Sequence, residues 1–160
     1  MRLYLVRHGA AVEESEDPAR PLSQTGIDEA QRTGRFISTH FQTNVGSILH
    51  SSKMRAAQTA QIMQQHLAPL RGTEQTEGLL PMDDPGIWAD RISDMEFDTM
   101  LVGHLPHLSR LASTLLCWNS EIAIAEFNTG TAACLDGTAG NWHLKWLVGP
   151  DVLSVRRTEI

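Results

Sequence analysis

Short continuous apolar runs alternate along the chain with apolar stripes spaced three and four residues apart. Leu3-Tyr4-Leu5-Val6 is the first run, and its lack of polar interruption predicts a strand buried on both faces. A polar segment rich in Glu, Ala and Pro, from Gly9 to Pro21, reads as a loop. Ser23 or Thr25 can cap the next helix, whose stripe is Ile27, Ala30, Gly34 and Ile37 and which should fade near Phe41. Val45 to His50 predicts a second strand. Ser51-Ser52 then offers an N-cap to a helix carrying Ala56, Ala60, Met63 and Leu67 on one face, ended by Pro69. Thr73 to Leu80 is ambiguous in pattern but suits a third strand by its place between helices. Ile87, Arg91 and Met95 mark a short helix, and Thr99-Met100-Leu101-Val102 repeats the buried-strand pattern. A further helix should hold Pro106 in its first turn and bury Leu108, Leu111, Ala112 and Leu115. Glu121 to Phe127, Ala132 to Leu135 and Trp142 to Val148 read as strands separated by Gly-rich turns.

Strands alternating with helices of this length predict a three-layer α/β/α sandwich with a mostly parallel central sheet and an antiparallel portion added late. The 160 residues suit one domain, 1–160, with a loose segment after about residue 150. Hydrophobic residues at 41% and charged residues at 20% are ordinary for a globular chain. A net charge of −6 argues against nucleic acid or an anionic membrane as partner, so an anionic ligand must meet a local positive cluster. The N-terminal apolar run reaches Arg7 and His8 too early for a signal peptide, and no run approaches the roughly 18 to 20 residues of a membrane span. A cytoplasmic protein is expected. Cys117 and Cys134 lack C-x-x-C spacing, which argues against zinc or a disulfide framework and predicts small core residues in a reducing compartment.

Special residues recur just after predicted strands: Arg7-His8-Gly9, Ser51 to Arg55, and Gly103-His104. In an open α/β sheet these positions converge at the carboxyl edge, where ligands bind. Arginine gives a planar fork of donors, imidazole serves as nucleophile or donor, and a helix N-terminus presents free N–H groups, so each type suits phosphate. Each residue alone has an ordinary alternative. A single His after a strand is more often structural, Arg55 could be a salt-bridged helix arginine, and Gly9 and Gly103 could simply end strands. Lys53 could steer phosphate or merely be solvated. His104 and His107 sit at helical spacing, but without a third ligand no metal site is expected.

The combination is more specific. Leu5-Val6-Arg7-His8-Gly9, Ser51-Ser52-Lys53-Met54-Arg55-Ala56-Ala57-Gln58-Thr59-Ala60 and Val102-Gly103-His104-Leu105-Pro106 resemble, in order and spacing, the three signatures of the histidine phosphatase (phosphoglycerate-mutase-like) superfamily. The segment Arg20-Pro21-Leu22-Ser23-Gln24-Thr25-Gly26 and the small size resemble its SixA branch, the protein phosphohistidine phosphatases. The resemblance implies that His8 is the nucleophile that becomes phosphorylated, that Arg7 and Arg55 clamp the phosphoryl oxygens, and that His104 completes the pocket. Gly9 would let backbone approach the phosphate, and Arg20 is the next phosphate-binding candidate, with a surface salt bridge as its alternative. His8 should then be neutral and His104 a cation beside the dianion. No metal or organic cofactor is implied. The expected partner is a phosphohistidine-bearing protein of a phosphorelay or phosphotransfer system, phosphate is the product, and the chain is expected to be a monomer. The alternatives are a general small-molecule phosphomonoesterase or mutase, and a non-catalytic phosphohistidine-binding adaptor.

Departures from the family pattern sharpen the picture. Ala10-Ala11 stands where many members have a hydroxyl residue after the Arg-His-Gly run, and Ser51-Ser52 replaces Ser-Pro. More telling, Leu79-Leu80-Pro81 puts proline where mutases and phosphomonoesterases place an acidic proton donor. Asp83 and Asp84 are the nearest substitutes, although a turn or helix cap before Pro85 is the commoner role for such residues.

Overall fold

The computed structural model of the protein describes residues 1–154. In chain order the elements are β1 (Arg2–Arg7), α1 (Gln24–His40), β2 (Ser47–His50), α2 (Met54–Leu67), β3 (Thr73–Gln75), α3 (Pro85–Ser93), β4 (Thr99–Gly103), α4 (His107–Cys117), β5 (Ala132–Thr138) and β6 (Asn141–Val148). The strands join in the order β3-β2-β4-β1-β5-β6. The first four of that order run parallel, whereas β5 is antiparallel to both β1 and β6. The α/β class and the late antiparallel portion are therefore as expected. The segment expected to be loose after about residue 150 lies, beyond Ser154, outside the described residues.

The uninterrupted apolar run in β1 has a direct cause. Tyr4 and Val6 pack with α1 and α2 on one face of the sheet, while Leu3 and Leu5 pack against Trp88, Ile92, Leu108 and Leu111 on the other. β4 divides likewise, with Met100 and Val102 on the first side and Leu101 on the second. A strand covered by helices on both faces has no side to leave polar. Its parallel neighbours carry their loops to one edge, which brings the residues after β1, β2 and β4 together.

Several expectations are corrected. Glu121 to Phe127 is no strand: the hydroxyls of Ser109 and Ser113 on α4 donate to the carbonyls of Ala125 and Ile122, and β5 already occupies the free side of β1. The antiparallel portion is thus a single hairpin. Thr73 to Leu80 shortens to Thr73–Gln75, and the α3 helix ends before Met95. Ser51-Ser52 does not cap α2; Lys53 stands at that position without a side-chain cap bond, because the Ser51 side chain turns elsewhere. Ser23 does cap α1, accepting from the Gly26 N–H at 3.1 Å. Cys134 is buried as expected, but Cys117 is exposed at the end of α4.

One backbone contact positions the loop after β1. A Cβ on Gly9 would overlap the Gly26 carbonyl, and one on Gly26 would overlap the backbone of Ala10. Gly9 thus admits the first turn of α1 through its missing side chain. Ser23 tightens the same junction, with its N–H and its hydroxyl both donating to the Ala10 carbonyl. Because backbone on both sides leaves nothing to yield, Gly26→Ala should cost about 3 kcal/mol, the upper end of ordinary overpacking. Urea denaturation checks this; an unchanged midpoint would contradict the close contact.

Candidate active site

His8 leaves β1 clamped by backbone on both sides. Its N–H donates to Gly103 O at 3.1 Å at the end of β4, and its carbonyl accepts from the Gly130 N–H at 3.1 Å just before β5. The ring is nearly buried, at 8% exposure. Nδ1 lies 2.7 Å from the Gly9 carbonyl. A carbonyl can only accept, so Nδ1 carries the hydrogen and Nε2 keeps its lone pair. Arg55 Nε donates toward that lone pair at 3.3 Å.

His104 stands against His8, with ring centroids 4.8 Å apart and the planes tilted by 55°. Its Nε2 is 2.5 Å from Ser51 Oγ. Ser51 Oγ also accepts from the Lys53 N–H at 3.4 Å, and its hydrogen and second lone pair let it bind His104 Nε2 whether or not that nitrogen carries a proton. The other ring nitrogen, Nδ1, is buried with no protein partner. Arg7 is tethered through Nη1 to the Phe127 carbonyl at 2.7 Å, while its Nε is likewise buried and unpartnered. The pocket therefore gathers the unprotonated Nε2 of His8, two guanidinium groups and the His104 ring.

Residues that carry no chemistry themselves hold this arrangement. Thr59 Oγ1 accepts from the Gly9 N–H at 3.1 Å and donates to Arg55 O at 2.8 Å, so one buried hydroxyl ties the loop after β1 to α2. Gln58 accepts from the Leu22 N–H at 2.7 Å. Glu29 accepts from the Ala10 N–H at 2.8 Å and from the Thr129 hydroxyl at 3.0 Å. Sequence reasoning assigned none of these roles. Thr59 could have been found, since it lies one helical turn beyond Arg55, but Glu29 sits in α1 with no local pattern to mark it.

Of the residues singled out from sequence, Arg7, His8, Arg55 and His104 come together. Arg20 sits beside them: it lines a cavity of about 500 Å³ with Arg55 and Lys53, and its Nε donates to Val12 O at 3.1 Å. Its φ of 48° is in the left-handed region, uncommon for a side-chain-bearing residue and the more so before proline. Pro81 lies on a half-buried loop. Asp83 accepts there from the Leu80 N–H at 2.8 Å, and Asp84 caps α3 by accepting from Gly86 N–H at 2.8 Å, so both carboxylates serve the backbone. Among the described residues no three His, Cys, Asp or Glu stand together as a metal site, and no helix is long and apolar enough to cross a membrane.

Electrostatics keep both rings neutral. Burial, followed by the charges of Arg55, Arg7 and Arg20, pushes His8 down to about 4 despite the favourable Gly9 carbonyl. His104 falls to about 3, through burial first and then His8, Arg55, Lys53 and His107. In the free protein His104 is thus neutral, because a buried ring facing cations sheds its proton; the cation expected from sequence is one beside a bound dianion. Burial also lowers Arg7 and Arg55 from their usual value, although guanidinium keeps its charge at neutral pH.

This geometry can be set beside known proteins. Residues 3–96 match the family model of the histidine phosphatase superfamily (branch 1). The chain belongs to this superfamily. Phosphohistidine phosphatase SixA of Escherichia coli K12 is 24% identical over 155 residues, covering 94% of both chains. The structure of the protein histidine phosphatase SixA complexed with tungstate superposes with a TM-score of 0.85 at 23% identity, over 96% of this chain and all (100%) of the other. The putative α-ribazole-5′-P phosphatase of E. coli K-12 gives 0.74 at 18% identity, over 94% and 98% of the two chains. As a histidine phosphatase the chain is a hydrolase, and its fold is that of the SixA structures.

The depressed histidines make stability depend on pH with a definite sign. Between the ordinary value of 6.5 and the folded values of about 4 and about 3, the unfolded chain binds protons that the folded pocket refuses. Stability should therefore fall as pH drops from about 6.5 through that window, and return above it. A His8→Asn, His104→Asn double variant should lose less of its urea midpoint than the wild type between about pH 6.5 and 4.5. Equal losses in the two proteins would contradict the assignment.

Proposed function

We propose that this histidine phosphatase hydrolyses phosphohistidine on a protein partner through a phosphorylated His8. The observation that carries the reading is the unprotonated Nε2 of His8, with its other nitrogen tied to the Gly9 carbonyl, beside Arg55 and against the His104 ring. Nε2 attacks phosphorus in line, the bond from phosphorus to the partner's imidazole breaks, and the departing ring takes a proton from solvent or its own ring equilibrium. Arg7 and Arg55 hold the equatorial oxygens, and the His104 ring supplies a further donor. Such donors act where charge develops and are each worth roughly 10²-fold or more. A dianion between the cations also reverses the field at His104 and lets that ring hold a second proton. Water then attacks the phosphorus of phospho-His8 and releases inorganic phosphate.

The scheme routes no step through a metal and treats the chain as a cytoplasmic, single-domain monomer. The similarity to SixA proteins and their phosphohistidine phosphatase names supports the substrate class. So does Pro81 at the position of the family's acid, with Asp83 and Asp84 engaged by backbone. An alkoxide leaving group needs a positioned acid, help worth roughly 10² to 10⁴-fold, whereas a protonated imidazole leaves without one.

Phosphate release should therefore be at least about 10²-fold faster, as kcat/KM, from a phosphohistidine protein than from phosphoserine or a sugar phosphate. Aryl phosphates should fall between them in order of leaving-group acidity. Pro81→Glu should raise alkyl ester hydrolysis more than phosphohistidine hydrolysis. Equal wild-type rates for phosphoserine and phosphohistidine would favour the general phosphomonoesterase instead.

A further inference from the structure

Two unlike surfaces flank the catalytic pocket at the carboxyl edge of the sheet. On one side is the cavity of about 500 Å³ lined by Arg20, Lys53 and Arg55, with Ser52 and Met54 and a single carboxylate, Glu14. Among the described residues the salt bridges are Met1 to Asp136 and Arg110 to Glu121, so none of these cations is paired. A chain of net charge −6 thus concentrates unpaired positive charge beside its pocket. Arg7 and Arg55 already suffice for one phosphoryl group, and Lys53 is exposed outside them.

On the other side is a largely apolar groove of about 330 Å³ lined by Leu105, Ala123, Ile124, Ala125 and Phe127, with Ser109 and one carboxylate, Glu126, at its wall. It is joined to the pocket twice: Leu105 follows His104, and the Phe127 carbonyl holds Arg7. Ile122 and Ile124 on this segment are 49% and 36% exposed. The segment is outside the sheet yet fixed by the α4 serines, so Ile122 and Ile124 face outward from a supported backbone while Phe127 anchors it in the core.

We propose, resting on the phosphohistidine phosphatase reading, that these two shoulders form the docking surface for the phosphoprotein. The partner fitted to it carries carboxylates on one side of its phosphohistidine and an apolar side chain on the other. Charge complementarity selects this occupant: acidic residues meet Arg20 and Lys53, and an apolar residue fills the groove between Leu105 and Ile124. A small phosphate ester fills only the pocket between the shoulders, so the surface separates protein from metabolite substrates.

The test compares kcat/KM for an acidic phosphotransfer domain, phosphorylated on histidine with phosphoramidate, with that for free phosphohistidine. Lys53→Glu and Ile124→Glu are made separately; a carboxylate at the start of α2 suits the helix dipole, and Ile124 is on the surface, so both variants should fold. Each should lower the ratio of the two kcat/KM values at least about tenfold, mainly through KM for the phosphoprotein, the order of one central interface residue. Lys53→Glu should also flatten the salt dependence of phosphoprotein turnover. An unchanged ratio in both variants, or a wild type preferring free phosphohistidine, would overturn the docking surface and leave the catalytic reading intact. Failure of the wild type to release phosphate from either substrate would overturn both.

Discussion

The hydrogen bond from His8 Nδ1 to the Gly9 carbonyl decides which ring nitrogen can react. Imidazole has two nitrogens and one proton, and the neutral ring in water exchanges between tautomers. Here the carbonyl accepts at 2.7 Å, so the lone pair is on Nε2, directed at Arg55. That bond requires the Gly9 backbone to be held still. Thr59 takes the Gly9 N–H, the α1 backbone packs on Gly9 through Gly26, and Glu29 and Ser23 bind the next residue. These side-chain and backbone contacts thus hold the loop that orients the His8 ring.

Burying two imidazoles among arginines has a cost that also makes the site responsive. Each ring is desolvated and faces like charge, so both stay neutral in the free protein. In the proposed scheme neutrality suits His8, which offers a lone pair, and leaves His104 able to change state. A phosphoryl group brings the negative charge that the cations lack, and the same field that repels a proton from His104 is then cancelled. Ser51 holds the ring by the opposite nitrogen, so its orientation does not depend on its charge.

Much of this was legible in the sequence because the signals were periodic or local. The uninterrupted runs in β1 and β4 report burial on both faces, and residues just beyond parallel strands must share one edge, which is why the segments after β1, β2 and β4 could be placed together; the family resemblance singled out Arg7, His8, Arg55 and His104 within them. What was missed depends on long-range pairing. Ser51 looks like a helix cap until His104 is placed beside it. Glu29 matters only because Ala10 and Thr129, distant in sequence, meet at its carboxylate. Glu121 to Phe127 has strand-like composition, but β5 had already taken the available edge.

The central claim is that His8 Nε2 is the nucleophile. Rapid quenching in base during turnover of a phosphohistidine protein, followed by peptide mapping and ³¹P NMR, tests it most directly. The account predicts a phosphoryl group on His8, attached through Nε2, acid-labile and missing from a folded His8→Ala variant that no longer turns over. Turnover in that variant, or a phosphoryl group on Nδ1 or on His104, would contradict it.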